Sequence, residues 1–168
     1  MVQFEIREAR PGDAAGIVAV LNPIIEAGTY TVLDGPLTAD AERAFMRSCS
    51  PRGVFLVAID RADGAVAGFQ NTQPFATYTH AFDHVGEIGT YVDLSRRRQG
   101  VAKQLFLATF EMALERGYEK LFAFVRADNP VSLQTYLHHG FEAVGTARRH
   151  AKVQGRYIDE TIIEKLLS

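Results

Sequence analysis

The chain has 168 residues, 47% of them hydrophobic and 23% charged, which excludes a disordered tail, a collagen-like rod and a disulfide scaffold. Lys and Arg number 18 against 20 Asp and Glu, and the resulting net charge of −2 gives no global attraction to nucleic acid or an anionic membrane. Cys49 is the one cysteine, so neither an intrachain disulfide nor a multi-cysteine zinc site is available.

Val2–Ala9 alternates Val2, Phe4 and Ile6 with polar residues and predicts a strand with one buried face. Pro11-Gly12 ends it. Asp13 reads as the N-cap of a helix whose Ile17, Leu21, Ile24 and Ile25 fall at helical spacing, with a kink or break near Asn22 because Pro23 follows. After a loop from Gly28 to Pro36, Thr38 is placed to cap a second helix through about Cys49, with Ala41, Phe45 and Met46 inward. Val54–Asp60 and Ala65–Pro74 are strands joined by the turn Arg61-Ala62-Asp63-Gly64. A polar and aromatic loop, Phe75–Asp83, leads to a strand over Val85–Leu94. The amphipathic stretch Val101–Gly117 is a helix, the nearly apolar Leu121–Val125 a central strand, and Asn129-Pro130 starts a short helix to about His138. A strand follows Gly140-Phe141, and Tyr157–Leu167 is the last.

This order predicts a mixed α/β domain, residues 1–168, with a largely antiparallel sheet and one parallel crossover near its middle. The longest apolar stretches, Val54–Ile59 and Gly16–Leu21, fall far short of the roughly 20 residues of a membrane span. With no signal-peptide pattern at the start and a lone thiol, a cytoplasmic setting is expected, with no membrane or nucleic-acid partner. His80 and His84 are four residues apart but sit in a loop, where solvated or pocket roles are expected rather than a metal site.

The richest stretch is Thr90-Tyr91-Val92-Asp93-Leu94-Ser95-Arg96-Arg97-Arg98-Gln99-Gly100-Val101-Ala102, which runs from a strand through a basic turn into a helix. A helix start offers unpaired amides and a positive dipole end, Gly100 and Ala102 permit close approach, and the arginines add charge, a combination suited to phosphate or pyrophosphate. The same residues also suit a solvated basic turn that does no more than begin a helix. There is no G-x-G and no G-x-x-x-x-G-K-[ST], so dinucleotide and nucleoside-triphosphate loops are excluded. One strand later comes Asn129-Pro130-Val131-Ser132 with Tyr136, His138-His139 and Gly140-Phe141; Ser132 and Tyr136, four apart, share a helix face. Asn129 also reads as a plain cap, and Tyr136 as core.

The two segments together, in this order, resemble the GCN5-related N-acetyltransferase (GNAT) family: Arg97-x-x-Gly100-x-Ala102 is similar to its acetyl-CoA signature, and Asn129 through Tyr136 to Gly140-Phe141 to its second motif. Within it, Asn22, Thr29-Tyr30, Glu87 and Gly155-Arg156-Tyr157-x-Asp159 look most like the phosphinothricin and methionine-sulfoximine acetyltransferase group. The resemblance implies a mixed sheet of about seven strands flanked by about four helices and splayed between strands 4 and 5. It implies acetyl-CoA as co-substrate, no metal, and a homodimer. It implies cofactor contacts from Tyr91, Val92, Arg97, Arg98, Gln99, Gly100, Val101, Ala102, Asn129 and Ser132, with Glu87 as general base and Tyr136 as proton donor to the leaving thiolate.

Members acting on phosphinothricin-like amino acids carry an arginine four residues before the matching glutamate. That position here is Asp83, which with Glu87 would favour a cationic acceptor such as a polyamine, an aminoglycoside or a peptide N-terminus, unless Arg156 or Arg148 takes the arginine's place. Tyr30, Tyr78 and Tyr157 are further candidates for the acceptor pocket, and equally for ordinary packing. The leading expectation is transfer of acetyl to the primary amine of a small molecule, amino acid or similar, by direct attack in a ternary complex. A protein or peptide acetyltransferase acting on N-termini or lysine is the alternative, and a non-catalytic acyl-CoA-binding module another.

Overall fold

The alternation of buried side chains along Val54–Asp60 builds both faces of the molecule at once. In the computed structural model, which describes residues 2–168, Leu56 and Ala58 join the apolar cluster under one helical layer, and Val57 joins the cluster under the other. The strands are β1 (Phe4–Glu8), β2 (Val54–Asp60), β3 (Val66–Pro74), β4 (Val85–Val92), β5 (Lys120–Arg126), β6 (Glu142–Val153) and β7 (Arg156–Leu166). The helices are α1 (Ala14–Ala27), α2 (Ala39–Ser48), α3 (Val101–Glu115) and α4 (Pro130–His138). They form a seven-stranded sheet ordered β1-β2-β3-β4-β5-β7-β6, antiparallel except for the parallel pair β4–β5. This is the mixed fold expected from the sequence.

Ile17, Val20, Leu21 and Ile24 of α1 pack on Val57, Val66 and Phe69, while Val101, Leu105 and Phe106 of α3 pack on the opposite face. Gly68 allows the close approach of β3, β4 and α3, because a Cβ there would lie 2.8 Å from the Tyr91 carbonyl oxygen and 2.9 Å from Val101.

The feature that creates the site is a failure of pairing. β4 and β5 are in register only for Val85–Lys120, Gly86–Leu121 and Glu87–Phe122, and beyond these they part. β4 instead stays paired with β3 as far as Val92–Gly68. The Asp93 amide donates to the Ala67 carbonyl at 2.9 Å. By the alternation of an antiparallel ladder, the amides of Thr90 and Val92 then face away from β3, onto the edge that β5 has vacated.

Local expectations held where partners were near in sequence. Thr38 caps α2 by accepting from the Ala41 amide at 3.1 Å, and Asn129 caps α4 by accepting from the Ser132 amide at 3.2 Å. Others are corrected. Asp13 does not cap α1; its carboxylate is taken by both Nη atoms of Arg7, at 2.8 and 2.9 Å, and by the Arg10 amide at 2.7 Å. α1 runs unbroken through Pro23. Beside it, Asn22 both donates to and accepts from the Leu37 backbone, tying the following loop to the helix. In α2 the buried residue is Glu42, whereas Ala41 and Phe45 are exposed. Cys49, expected in the core, is half-buried on a shallow surface cavity, where burial raises its thiol.

Candidate active site

The turn after β4 is held by its own side chains. Asp93 accepts from the Ser95 amide at 2.8 Å and starts a short 3-10 turn, Leu94–Arg96. Arg96 is spent on structure: it pairs with the buried Asp60 and, at 2.6 Å, with Asp63, locking the turn to the β2–β3 hairpin. Arg98 (φ 62°) and Gly100 (φ 85°) are both left-handed, and the chain doubles back into the start of α3 with its first amides unpaired. The Gln99 side chain points elsewhere, accepting from Gln3 at 3.3 Å.

Arg97, Arg98, Gly100, Val101 and Ala102 line a cavity of about 440 Å³ that runs along the open edge of β4, past Val92, to α4. Positive side chains, a helix N-terminus and free strand amides lie along one channel, which is the donor set that a pyrophosphate followed by an amide-bearing arm requires. Gly100→Ala forces an L-residue into the left-handed region at a cost of about 1–2 kcal/mol. If the turn relaxes to relieve it, acetyl-CoA affinity falls by up to about 30-fold, read by calorimetric titration; an unchanged Kd would show that the turn does not grip the ligand.

A second cavity, of about 800 Å³, lies on the other side, between α2, the loop after α1, and the splayed strands. The two cavities share Tyr30, Thr90, Tyr91, Ser132 and Tyr136 as walls. Tyr136, buried edge-on against Phe106 and Phe141, donates its hydroxyl proton to Thr90 Oγ1 at 2.8 Å. Gln70 Nε2 donates to the same oxygen at 3.0 Å. With both lone pairs of Thr90 engaged, its own proton is free for the junction. Burial pushes the Tyr136 hydroxyl well above the usual tyrosine value, so it stays protonated and is a donor. Glu87 opens only into the second cavity, where burial, then the charge of Glu160, raises its carboxyl above the usual range.

Tyr30 brings the loop after α1 into the wall between the cavities, and distant residues position that loop. Arg126 donates to the carbonyls of Gly28 (3.0 Å) and Thr31 (2.9 Å), while Asn129 donates to that of Tyr30 (3.3 Å). Arg97 lies over the Tyr30 ring, 4.2 Å from its centroid. Asn129 therefore works as cap and loop anchor while it also lines the first cavity.

The structure thus brings Glu87, Tyr136, Tyr91, Val92, Arg97, Arg98, Gly100, Val101, Ala102, Asn129, Ser132 and Tyr30 together around two joined cavities. It does not bring Asp83 or Tyr157 there. Asp83 sits beyond the 3-10 turn His80–Phe82 and accepts from His80 at 2.9 Å. Tyr157 is 57% exposed, with Arg149 and Lys152 over its ring. Thr90, Arg126, Glu42 and Glu160 belong to the site or its walls and were not singled out from sequence. Only the β-branched Thr90, in a strand already suspected, carried any signal.

The fold and the paired cavities are those of an acyl-CoA-dependent transferase. The model of the Acetyltransferase (GNAT) family matches residues 25–141, more than half of the chain, and the chain belongs to that family. It is 26% identical over 155 residues to a phosphinothricin N-acetyltransferase of Streptomyces viridochromogenes, spanning 92% of this chain and 83% of that one. Among solved structures, a ribosomal-protein-alanine N-acetyltransferase from Brucella melitensis superposes with a TM-score of 0.87 at 26% identity, covering 97% of this chain and 99% of the other. A phosphinothricin acetyltransferase from Sinorhizobium meliloti in complex with acetyl-CoA shares the fold, with a TM-score of 0.89 at 21% identity over 99% of this chain and 90% of the other. The protein is an acetyl-CoA-dependent N-acetyltransferase. No helix among the described residues is long and apolar enough to cross a membrane.

Proposed function

We propose that the enzyme acetylates the primary amine of a small molecule by direct attack, with both substrates bound at once. The observation that carries this reading is the junction: one cavity holds the pyrophosphate-type donors, the other holds Glu87, and Thr90, Tyr91 and Tyr136 stand between them. The reading includes a single domain over residues 1–168 and, with a lone thiol, a cytoplasmic setting, together with a homodimer as the family resemblance implies.

When bound, acetyl-CoA supplies a thioester whose carbonyl carbon accepts the amine. The amides beginning at Gly100, with Arg97 and Arg98, hold the diphosphate. The freed amide of Val92 holds the arm as an added strand and orients the thioester, while the Thr90 backbone is turned to the Tyr136 hydroxyl. Donors at the junction, among them the Thr90 hydroxyl, face the oxygen on which negative charge develops. Glu87, through water, takes the proton that an aliphatic ammonium, pKa about 10, must lose before it attacks. As the C–N bond forms and the C–S bond breaks, Tyr136 turns its proton from Thr90 to the departing sulfur, and the second proton of the attacking nitrogen passes through water to restore the tyrosine.

The test is thiol release from acetyl-CoA with a panel of free amines, amino acids and peptides. Turnover on free amines or amino acids is expected. Turnover confined to peptides would transfer the assignment to a protein acetyltransferase, the reading that the Brucella enzyme's fold and 26% identity favour. Acetyl-CoA binding without any turnover would leave only a binding module.

A further inference from the structure

The charges lining the second cavity are one-sided. Glu42 from α2, Glu87 from β4 and Glu160 from β7 face it, with Arg126 as the only cationic side chain. Arg126 is not free to meet an anion. Its Nε and Nη2 donate to the Asp128 carboxylate at 2.8 Å each, and its Nη1 donates to two loop carbonyls. Four of its five donor protons are used within the protein, and its charge is matched by Asp128. The acceptor cavity therefore offers a carboxylate or phosphinate no free cationic partner.

Two of the three carboxylates are buried without partners. Glu42 is 4% exposed and Glu160 is 7% exposed, and neither side chain has a hydrogen bond or ion pair among the described residues. Glu160 is partly offset by the nearby charges of His150 and Arg126. Glu42 has no such offset, and burial alone raises its carboxyl. Glu42 and Glu87 both act electrostatically on the Tyr91 hydroxyl, which spans the ground between them at the cavity junction. Phe45, Phe69 and Tyr91 line the cavity with Glu42, Tyr91 stacked on Phe69 at 4.9 Å, and Asn71 and Gln73 add polar groups to the same wall.

Without a partner the Glu42 carboxylate stays ionised only at a cost, because burial favours its protonated form, and a cation brought by a ligand is what would stabilise the charge. Glu87 is committed to the amine that reacts. We infer that the acceptor is a dication, an amine with a second ammonium or guanidinium group held against Glu42 while the first is acetylated beside Glu87. An aliphatic spacer between the two charges lies along Phe45, Phe69 and Tyr91, whose ring faces also attract a cation. The inference rests on the acetyl-transfer reading above and names its substrate class, a diamine or a basic amino-acid derivative rather than an acidic amino acid.

The experiment compares 1,5-diaminopentane, pentylamine and glutamate as acceptors for the wild-type enzyme, by thiol release from acetyl-CoA. The diamine is expected to exceed the monoamine at least tenfold in kcat/KM, mostly through KM, and glutamate to be the poorest. Glu42→Gln, which keeps the shape and removes the charge, is expected to bring the diamine-to-monoamine ratio close to one by raising the diamine KM. Equal rates on diamine and monoamine, a preference for glutamate, or an unchanged ratio in the variant would overturn the dication and leave acetyl transfer to small amines standing. Thiol release with none of the three, but with peptides, would overturn both readings. The wild-type ratio decides the matter even if the variant folds poorly.

Discussion

Glu87→Gln is expected to lower kcat/KM about 100- to 1000-fold, the lower part of the range a positioned base contributes, with acetyl-CoA affinity little changed. The pH profile supplies a readout that a structural role would not move. Burial, then the charge of Glu160, raises the Glu87 carboxyl in the folded protein, so more of it is protonated at a given pH than for an exposed glutamate. Activity in the wild type therefore falls as pH drops through a value above the usual carboxylate range. The variant loses that limb and keeps only the titration of the amine itself.

Stability runs the opposite way. A carboxyl whose folded pKa is raised favours the fold when neutral; its contribution is full below the unfolded pKa and is lost as pH rises through the folded one. At neutral pH, Glu87→Gln should melt no lower than the wild type, so an activity loss cannot be assigned to unfolding. A variant that keeps its acid limb, or retains wild-type turnover, would remove Glu87 from the mechanism.

Tyr136→Phe is expected to lower kcat about 10- to 100-fold, at the low end of acid catalysis or below it. The reason is the leaving group. A thiol of pKa about 8.5 departs as thiolate without much help, and a tyrosine, about 10 in water, is a weaker acid still. Burial of Tyr136 raises its hydroxyl further. The hydroxyl is therefore most useful as a proton already aimed at the sulfur, and its loss costs rate rather than affinity; Kd for acetyl-CoA should stay within about twofold. Removing the bond to Thr90 costs about 0.5–1.5 kcal/mol of stability. For a chain of this size that lowers Tm by a few degrees. Unchanged kcat with the lowered Tm would reduce Tyr136 to a packing residue beside Phe106 and Phe141.

The features legible in the sequence were those decided within a few residues. The basic turn and the helix it starts could be read because the left-handed Gly100, the helix N-terminus and the arginines are consecutive. Thr38 and Asn129 cap their helices through amides three residues away. Alternation along Val2–Ala9 identified β1, and the order of elements with two spaced motifs pointed to the family and its splayed sheet.

Reading outward from neighbours failed where a distant segment intervened. Asp83 lies four residues before Glu87 yet turns away, because the 3-10 turn His80–Phe82 offers it His80 as a partner. Pro23 does not break α1, and Asp13 abandons the cap for Arg7. The periodicity of α2 placed Ala41 and Phe45 on one face, but only the loop after α1 and the parted strands made that face the wall of a cavity.

Glu42, Glu160 and Arg126 look in the sequence like ordinary charged residues. Their roles come from contacts far along the chain, such as Arg126 reaching back 98 residues to Gly28 and 95 to Thr31. Sequence alone determined the class of chemistry, because a phosphate-gripping turn is built from adjacent amides. The tertiary structure decided the sign and shape of the acceptor cavity, because a cavity is bounded by segments that share no local sequence and meet only when the sheet splays.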